Sequence, residues 1–433
     1  MKNRYKNILK KDPELLEAVK QLSYDNMDSF YKISLSVIAP SLVMYVHWIL
    51  CEAKKRNIEH LYFFARDGYL LYHIAKVLCK KMNIDTECSY FYCSRYSLRM
   101  AAYRFFDDSA YEKLFLYSYE LSAYNMLKRA GFSSEERYMV YDEIGYDKEK
   151  EHDIIVKTEF SQLCEKIKNS EKFSEIITKK SDSAYSSTME YIVQERFDRF
   201  KNVGIVDLGW TGSLQYTLKR LLSSAGIDTH ITGFYIGMLD SPPKAENSEY
   251  ITWLFDENTA SVKSWFSHNL LECICSAPHG TTMGYTYDKS HRVKPVLSES
   301  ENSSEGNLLL KELSEKFAFE CDMSYEDKHR KIALKLLKQL MFHPTEYEVY
   351  TFRDYCLCDD VGEQYHNHLV QIEENAQYRK QMIFYRTFHR ESTDSFYWYC
   401  GSVKVSNLLI KTYYKYMYFL TKYVIIKFRQ RVS

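Results

Sequence analysis

The chain has 433 residues, and its 58 basic and 58 acidic side chains cancel to a formal charge of zero. That balance excludes a general nucleic-acid binder, which needs surplus Lys and Arg to neutralise phosphates. A hydrophobic content of 45% excludes intrinsic disorder, and 14 Gly with 7 Pro exclude collagen-like and linker-rich chains. The length fits two or three domains, or one core with large insertions.

The first 57 residues read as an N-terminal helical segment, basic at its start and without a signal peptide's unbroken apolar stretch, so a cytoplasmic location is expected. Residues 33–51 are apolar but interrupted by Ser34, Ser36, Pro40, Ser41 and His47. Leu42, Val43, Val46, Ile49 and Leu50 recur at helical spacing, which suits a core helix better than a membrane span. HLYFFA, residues 60–65, has the apolar, aromatic character of a buried strand. The turn Arg66-Asp67-Gly68 follows it, then a helix with Leu71, Ile74, Ala75 and Leu78 on one face. Residues 90–93 are the next strand candidate, running into Ser94-Arg95.

Residues 107–200 are charged and Tyr-rich, with a helical pattern broken near 131–134 and at Gly145, and they read as a helical insertion or cap. The sharpest signal comes next: a strand over 203–207, a polar turn LGWTGS over 208–213, a helix over 214–222 and a strand over 231–237. Strands alternating with helices predict an α/β fold with a parallel sheet, its core built from residues 58–106 and 201–300. After the polar cluster near residue 300, residues 301–400 read as a helical C-terminal region, and 401–433 as a basic, aromatic amphipathic tail. His343-Pro344-Thr345 reads as a helix start. Eleven cysteines without CxxC spacing read as reduced thiols, mostly buried as small hydrophobes.

In an open parallel sheet, ligands bind beyond the carboxyl ends of the strands, where turns feed helix N-termini rich in free N–H groups. Two turns qualify. The first supplies Arg66, Asp67 and Gly68; the second supplies Asp207, Gly209, Thr211, Gly212 and Ser213. In this reading Arg66 and Gly68 hold phosphate with Gly209, Thr211, Gly212 and Ser213, while Arg95 and Arg99 balance anionic charge. Asp207 and Asp67 are the catalytic candidates, and Asp207 would orient a sugar hydroxyl or Mg²⁺. Plainer readings stay open for each: Thr or Ser as a helix cap, Arg66-Asp67 as a local ion pair, Arg95 and Arg99 as solvated charges. Glu272, His279 and Thr281 form a polar island after an apolar segment, with His279 a candidate general acid or base, or simply a structural loop histidine. Ser94 and Ser97 lack a neighbouring His-Asp arrangement, so a serine-hydrolase reading is weak.

The order strand, RDGY turn, helix, strand ending at Arg, long insertion, strand, D-x-x-x-T-G turn, helix, strand resembles a type I phosphoribosyltransferase core. In IVDLGWTGSLQ, residues Asp207, Thr211 and Gly212 occupy that family's positions for cradling a sugar phosphate, Ser213 fills the variable one, and Val206 stands where the family has its first acidic residue. A longer resemblance is carried by APSLVMYVHWILCEAKK, HLYFFARDGYLL, YFYCSRYSLRM, IVDLGWTGSLQ, LLECICSAPHGTTMGY and WYCGS. These are similar to the C-terminal module of bacterial proteins from surface-polysaccharide gene clusters, labelled predicted haloacid-dehalogenase-superfamily hydrolases. The resemblances imply a phosphate-binding protein of polysaccharide assembly, a glycosyl- or phosphoribosyl-type transferase acting on a phosphorylated sugar or nucleotide, with glycosyltransferases as partners.

Two other functions stay open. One is a phosphohydrolase using Asp207; a dehalogenase-type site needs an acid two residues after its nucleophile, where Gly209 stands, so the acid would come from elsewhere, such as the 107–200 insertion. The other is a non-catalytic sugar-nucleotide-binding or scaffold module. Residues 408–433 carry six cations and no acid, which fits either a helix on the inner face of an anionic membrane or one packed on the protein with its lysines outward.

Overall fold

The computed structural model describes residues 4–105, 114–115, 121–299, 304–357, 367–382 and 396–432. Five strands, β1 (His60–Phe64), β2 (Glu87–Phe91), β3 (Asn202–Asp207), β4 (His230–Gly237) and β5 (Ser248–Phe255), form one parallel sheet in the order β2-β1-β3-β4-β5. The apolar run of β1 explains its central place. Leu61 and Phe63 enter the core on one face and Tyr62 and Phe64 that on the other, so both sides need covering. On β3, Val203 and Ile205 face the second core and Val206 the first. Gly204 leaves room for Leu61, whose Cδ2 would lie 2.4 Å from an added Cβ.

Helices α1 (Ala39–Lys55) and α2 (Gly68–Met82) cover the first face, together with α6 (His268–Cys275), α7 (Ser304–Glu320) and α8 (Asp327–Met341). Helices α3 (Arg95–Ala102), α4 (Glu171–Gln194) and α5 (Ser213–Ser224) cover the second. The protein is therefore a mixed α/β structure with helices on both sides of a parallel sheet. Between β2 and β3, helices Ala123–Arg129, Ser134–Ile144 and Lys157–Lys168 gather with part of α4 around a separate apolar cluster that includes Met126, Leu127, Tyr141 and Phe173. The expected break at Gly145 is a left-handed C-cap with φ +67°. Residues 106–113 and 116–120 of the expected insertion, and 300–303 of the polar cluster, lie outside the described residues.

Several elements differ from expectation. The second strand is Glu87–Phe91, not 90–93, because β1 pairs in register from His60–Glu87 to Phe64–Phe91 and the chain then bends into α3. Ser94 caps α3, accepting the Ser97 N–H at 3.0 Å, which gives both serines a structural task. The N-terminal helical pattern is broken at 22–28. β5 was not anticipated; its outer half is only partly buried, so its apolar signal begins late. Strands β6 (Thr282–Tyr287) and β7 (Val293–Leu297) form an antiparallel hairpin apart from the main sheet. Thr345 caps the helix Glu346–Phe352, as the HPT motif suggests. Of the described helices, only Ser29–Lys55 is long and apolar enough to cross a membrane, and here it is buried within the protein.

Candidate functional site

β1 and β3 lie side by side, paired from His60–Val203 to Phe63–Val206, so the loops that follow them leave the same edge of the sheet together. The first loop feeds α2 on one face and the second feeds α5 on the opposite face. The chain thus parts at this edge and opens a crevice, the position at which ligands enter parallel sheets of this strand order.

Asp67 and Asp207 stand together in that crevice, each partly open to solvent although enclosed by protein. Burial is the main cause that raises Asp67 from the ordinary carboxylate range to about 7, and the neighbouring Asp207 charge adds to it, while Arg66 and Arg95 oppose it. Asp207 is likewise raised to about 7 by burial; the Leu208 N–H, which its Oδ1 accepts at 2.8 Å, pulls it down, and Glu272 pushes it up. The pair is therefore best described as holding a shared proton near neutrality rather than two independent charges. No hydrogen bond to the Asp67 carboxylate is found among the described residues.

The rest of the site is built around this pair. Arg66 takes a left-handed conformation, φ +70°, and its N–H donates to the Tyr90 hydroxyl at 3.0 Å. Its guanidinium reaches the 276–281 loop, donating to Thr281 Oγ1 at 2.9 Å with Ser276 Oγ at 3.5 Å, rather than closing an ion pair with Asp67. Tyr90 donates to His279 Nε2 at 2.8 Å, and His279 Nδ1 donates to the Gly280 carbonyl at 2.9 Å. Burial holds His279 below its usual pKa, so it is neutral, with both ring nitrogens engaged. In this geometry His279 braces the Arg66 turn through Tyr90, with Nε2 accepting from the Tyr90 hydroxyl and Nδ1 held by the Gly280 carbonyl.

Gly68 is buried under β1, where an added Cβ would lie 2.9 Å from the Phe63 carbonyl carbon, so its first need is close helix–strand packing. No side chain caps α2. The second turn crosses a cis peptide at Gly209-Trp210. A Cβ at Gly209, whose φ is +154°, would meet the Gly237 carbonyl oxygen at 2.4 Å. Gly212, with φ +67°, is the N-cap of α5 and offers no side-chain cap, so neither Thr211 nor Ser213 serves as one. Thr211 is exposed and donates to Ser213 Oγ at 3.2 Å. The first turn of α5 therefore begins beside the Thr211 and Ser213 hydroxyls without a side-chain cap on its N–H groups.

Arg95, the first residue of α3, is exposed and makes no hydrogen bond or ion pair among the described residues, yet its charge lowers both aspartates. Arg99 lies one turn later and is half-buried. Three contributors were invisible in the sequence. The Tyr45 hydroxyl lies 2.9 Å from the carbonyl oxygens of Asp207 and Phe234; Tyr90 joins the Arg66 turn to the 276–281 loop; and the Trp210 indole N–H donates to Glu272. The abundance of Tyr hinted at such bridges without marking which residues form them.

No cluster of three or more metal-ligating side chains lies among the described residues. Mg²⁺ needs no such cage: one or two carboxylates, waters and substrate phosphates suffice. Asp207 with Asp67, whose carboxylate has no donor among the described residues, fits that partial set. No protein family matches the chain, and no curated protein matches it.

Proposed function

We propose that the crevice binds a phosphorylated sugar or nucleotide and that the protein is a transferase acting at the carbon–oxygen bond to phosphate. The observation that carries this reading is the meeting of Asp67 and Asp207 at adjacent strand ends, beside Arg95, which has no ion-pair partner among the described residues, and the uncapped start of α5. Phosphate oxygens would rest on the Thr211–Ser213 turn and Arg95. As the bond to phosphate stretches, the ionised member of the aspartate pair faces the positive charge growing on the sugar carbon. The protonated member can give its proton to the leaving phosphate oxygen, and the carboxylate so formed can take the proton that the acceptor hydroxyl loses as it bonds to the sugar carbon. A bound Mg²⁺ would add charge neutralisation at the leaving phosphate. The likeness of both turns to a phosphoribosyltransferase core supports the phosphate assignment. The likeness to surface-polysaccharide cluster proteins supports a cytoplasmic task in making such polymers, alongside glycosyltransferases.

A second reading has its own support. Phosphoester hydrolysis with Asp207 as nucleophile lacks an acid at Gly209, and Asp67 on the neighbouring turn is a candidate for that task, in place of the 107–200 segment first considered. The two readings differ in product. Purified protein incubated with sugar phosphates and sugar nucleotides, with and without Mg²⁺ and acceptor sugars, should yield a glycosylated acceptor by mass spectrometry. Free phosphate formed without acceptor would favour hydrolysis instead. Binding without turnover across the panel would contradict both and leave a ligand-binding module.

A further inference from the structure

The last described helix, α9 (Lys411–Val432), packs on the protein in a way the sequence does not suggest. Three of its lysines turn inward. Lys411 donates to the Lys404 carbonyl at 2.8 Å, Lys415 lies over the Phe342 ring at 5.0 Å, and Lys422 lies over Tyr418 at 5.2 Å. The outward face is apolar instead. Tyr413, Tyr416, Leu420, Val424 and Phe428 recur every three or four residues and are all exposed, Phe428 at 68%. Leu409, fully exposed, and Ile410 extend the stripe before the helix begins. At 1.5 Å per residue the stripe runs about 30 Å. At its far end Lys427, Arg429 and Arg431 are exposed too.

We propose that this stripe is a docking surface for an anionic lipid bilayer, with the helix lying in the plane of the membrane. Charge complementarity selects the occupant: residues 408–433 hold no acid, and of their cations the exposed Lys427 and Arg431 fall on the face of the apolar stripe, where lipid phosphates would meet them. A second copy packed through the same helix would instead bring like charges together. α9 is not among the helices apolar enough to span a membrane, so it would rest on the surface with Tyr, Leu, Val and Phe inserted among the lipid chains.

The test is sedimentation of the full-length protein with vesicles of phosphatidylglycerol and phosphatidylcholine in equal parts, and with phosphatidylcholine alone. The protein should pellet with the mixed vesicles, release on added salt, and remain soluble with the neutral ones. Phe428→Glu and Leu420→Glu should abolish pelleting without changing the melting temperature, because both side chains are exposed. Lys427→Gln should weaken it about fivefold. Equal binding to neutral vesicles, no binding to either, or pelleting unaffected by Phe428→Glu would overturn the proposal. So would a dimer in light scattering that Leu420→Glu splits, since the stripe would then serve a second copy.

Discussion

Replacing Asp67 by Asn removes one of two carboxyl groups that the fold holds above their ordinary range, and the consequence is a change in how stability depends on pH. The unfolded carboxyls titrate near their ordinary value of 3.8, whereas the folded pair is raised to about 7. Between those values the folded protein binds more protons than the unfolded chain, so wild-type stability falls as pH rises and the loss is complete above about 7. Asp67→Asn removes that proton uptake at its own position and lowers the strain on Asp207. Relative to wild type, the variant should gain up to about 1.4 kcal/mol per pH unit through this window, a ceiling of roughly 3 kcal/mol between about pH 5 and pH 7. Partial solvent contact and sharing of one proton bring the expected gain nearer to about 2 kcal/mol. Thermal melts of both proteins across this range, without ligand, measure it. A variant destabilised equally at every pH would show that Asp67 contributes only shape, and that the two carboxyls do not share a repulsive crevice.

Other predictions follow from the same geometry. Arg95→Ala should leave the protein folded, with only a modest loss of stability near neutral pH as the two aspartates lose a favourable charge, yet weaken binding of a sugar phosphate at least about tenfold in calorimetry. Gly209→Ala should be recovered unfolded or strongly destabilised, because its Cβ would meet the Gly237 carbonyl oxygen at 2.4 Å in a region that L-residues rarely adopt. Tyr90→Phe removes the hydroxyl shared by the Arg66 N–H and His279, and should cost about 1–3 kcal/mol in chemical denaturation. His279→Gln, which can still accept from Tyr90, should retain most stability and ligand affinity; a complete loss of turnover with intact binding would return His279 to a proton-transfer role.

The parallel sheet was legible because its central strands are continuous apolar runs next to Gly-containing turns, as in HLYFFARDG and VGIVDLGWTG. Those same turns supplied Asp67 and Asp207, and the strand pairing that joins them follows from two buried strands competing for the same central place. Less was legible where a residue's role depends on a distant partner. Nothing local tells that Tyr90 meets His279 or that Trp210 donates to Glu272, residues 189 and 62 positions apart. Arg66 reads as a phosphate ligand from its turn, yet its guanidinium is tied to Thr281, a contact only the folded hairpin region creates. The tail was legible only in part: of the two packings its composition allowed, lysines outward is not the one seen, because Lys415 lies over the Phe342 ring and Lys411 donates to the Lys404 carbonyl while aliphatic and aromatic side chains stay outside.

The central claim is that the turns after β1 and β3 hold one phosphorylated ligand between them. A crystal of the protein grown or soaked with a saturating sugar nucleotide and Mg²⁺ tests it most directly. The account predicts phosphate oxygens on the Thr211–Ser213 backbone and Arg95, with the sugar against Asp67 and Asp207. A ligand bound elsewhere, or an empty crevice at saturation, would contradict it.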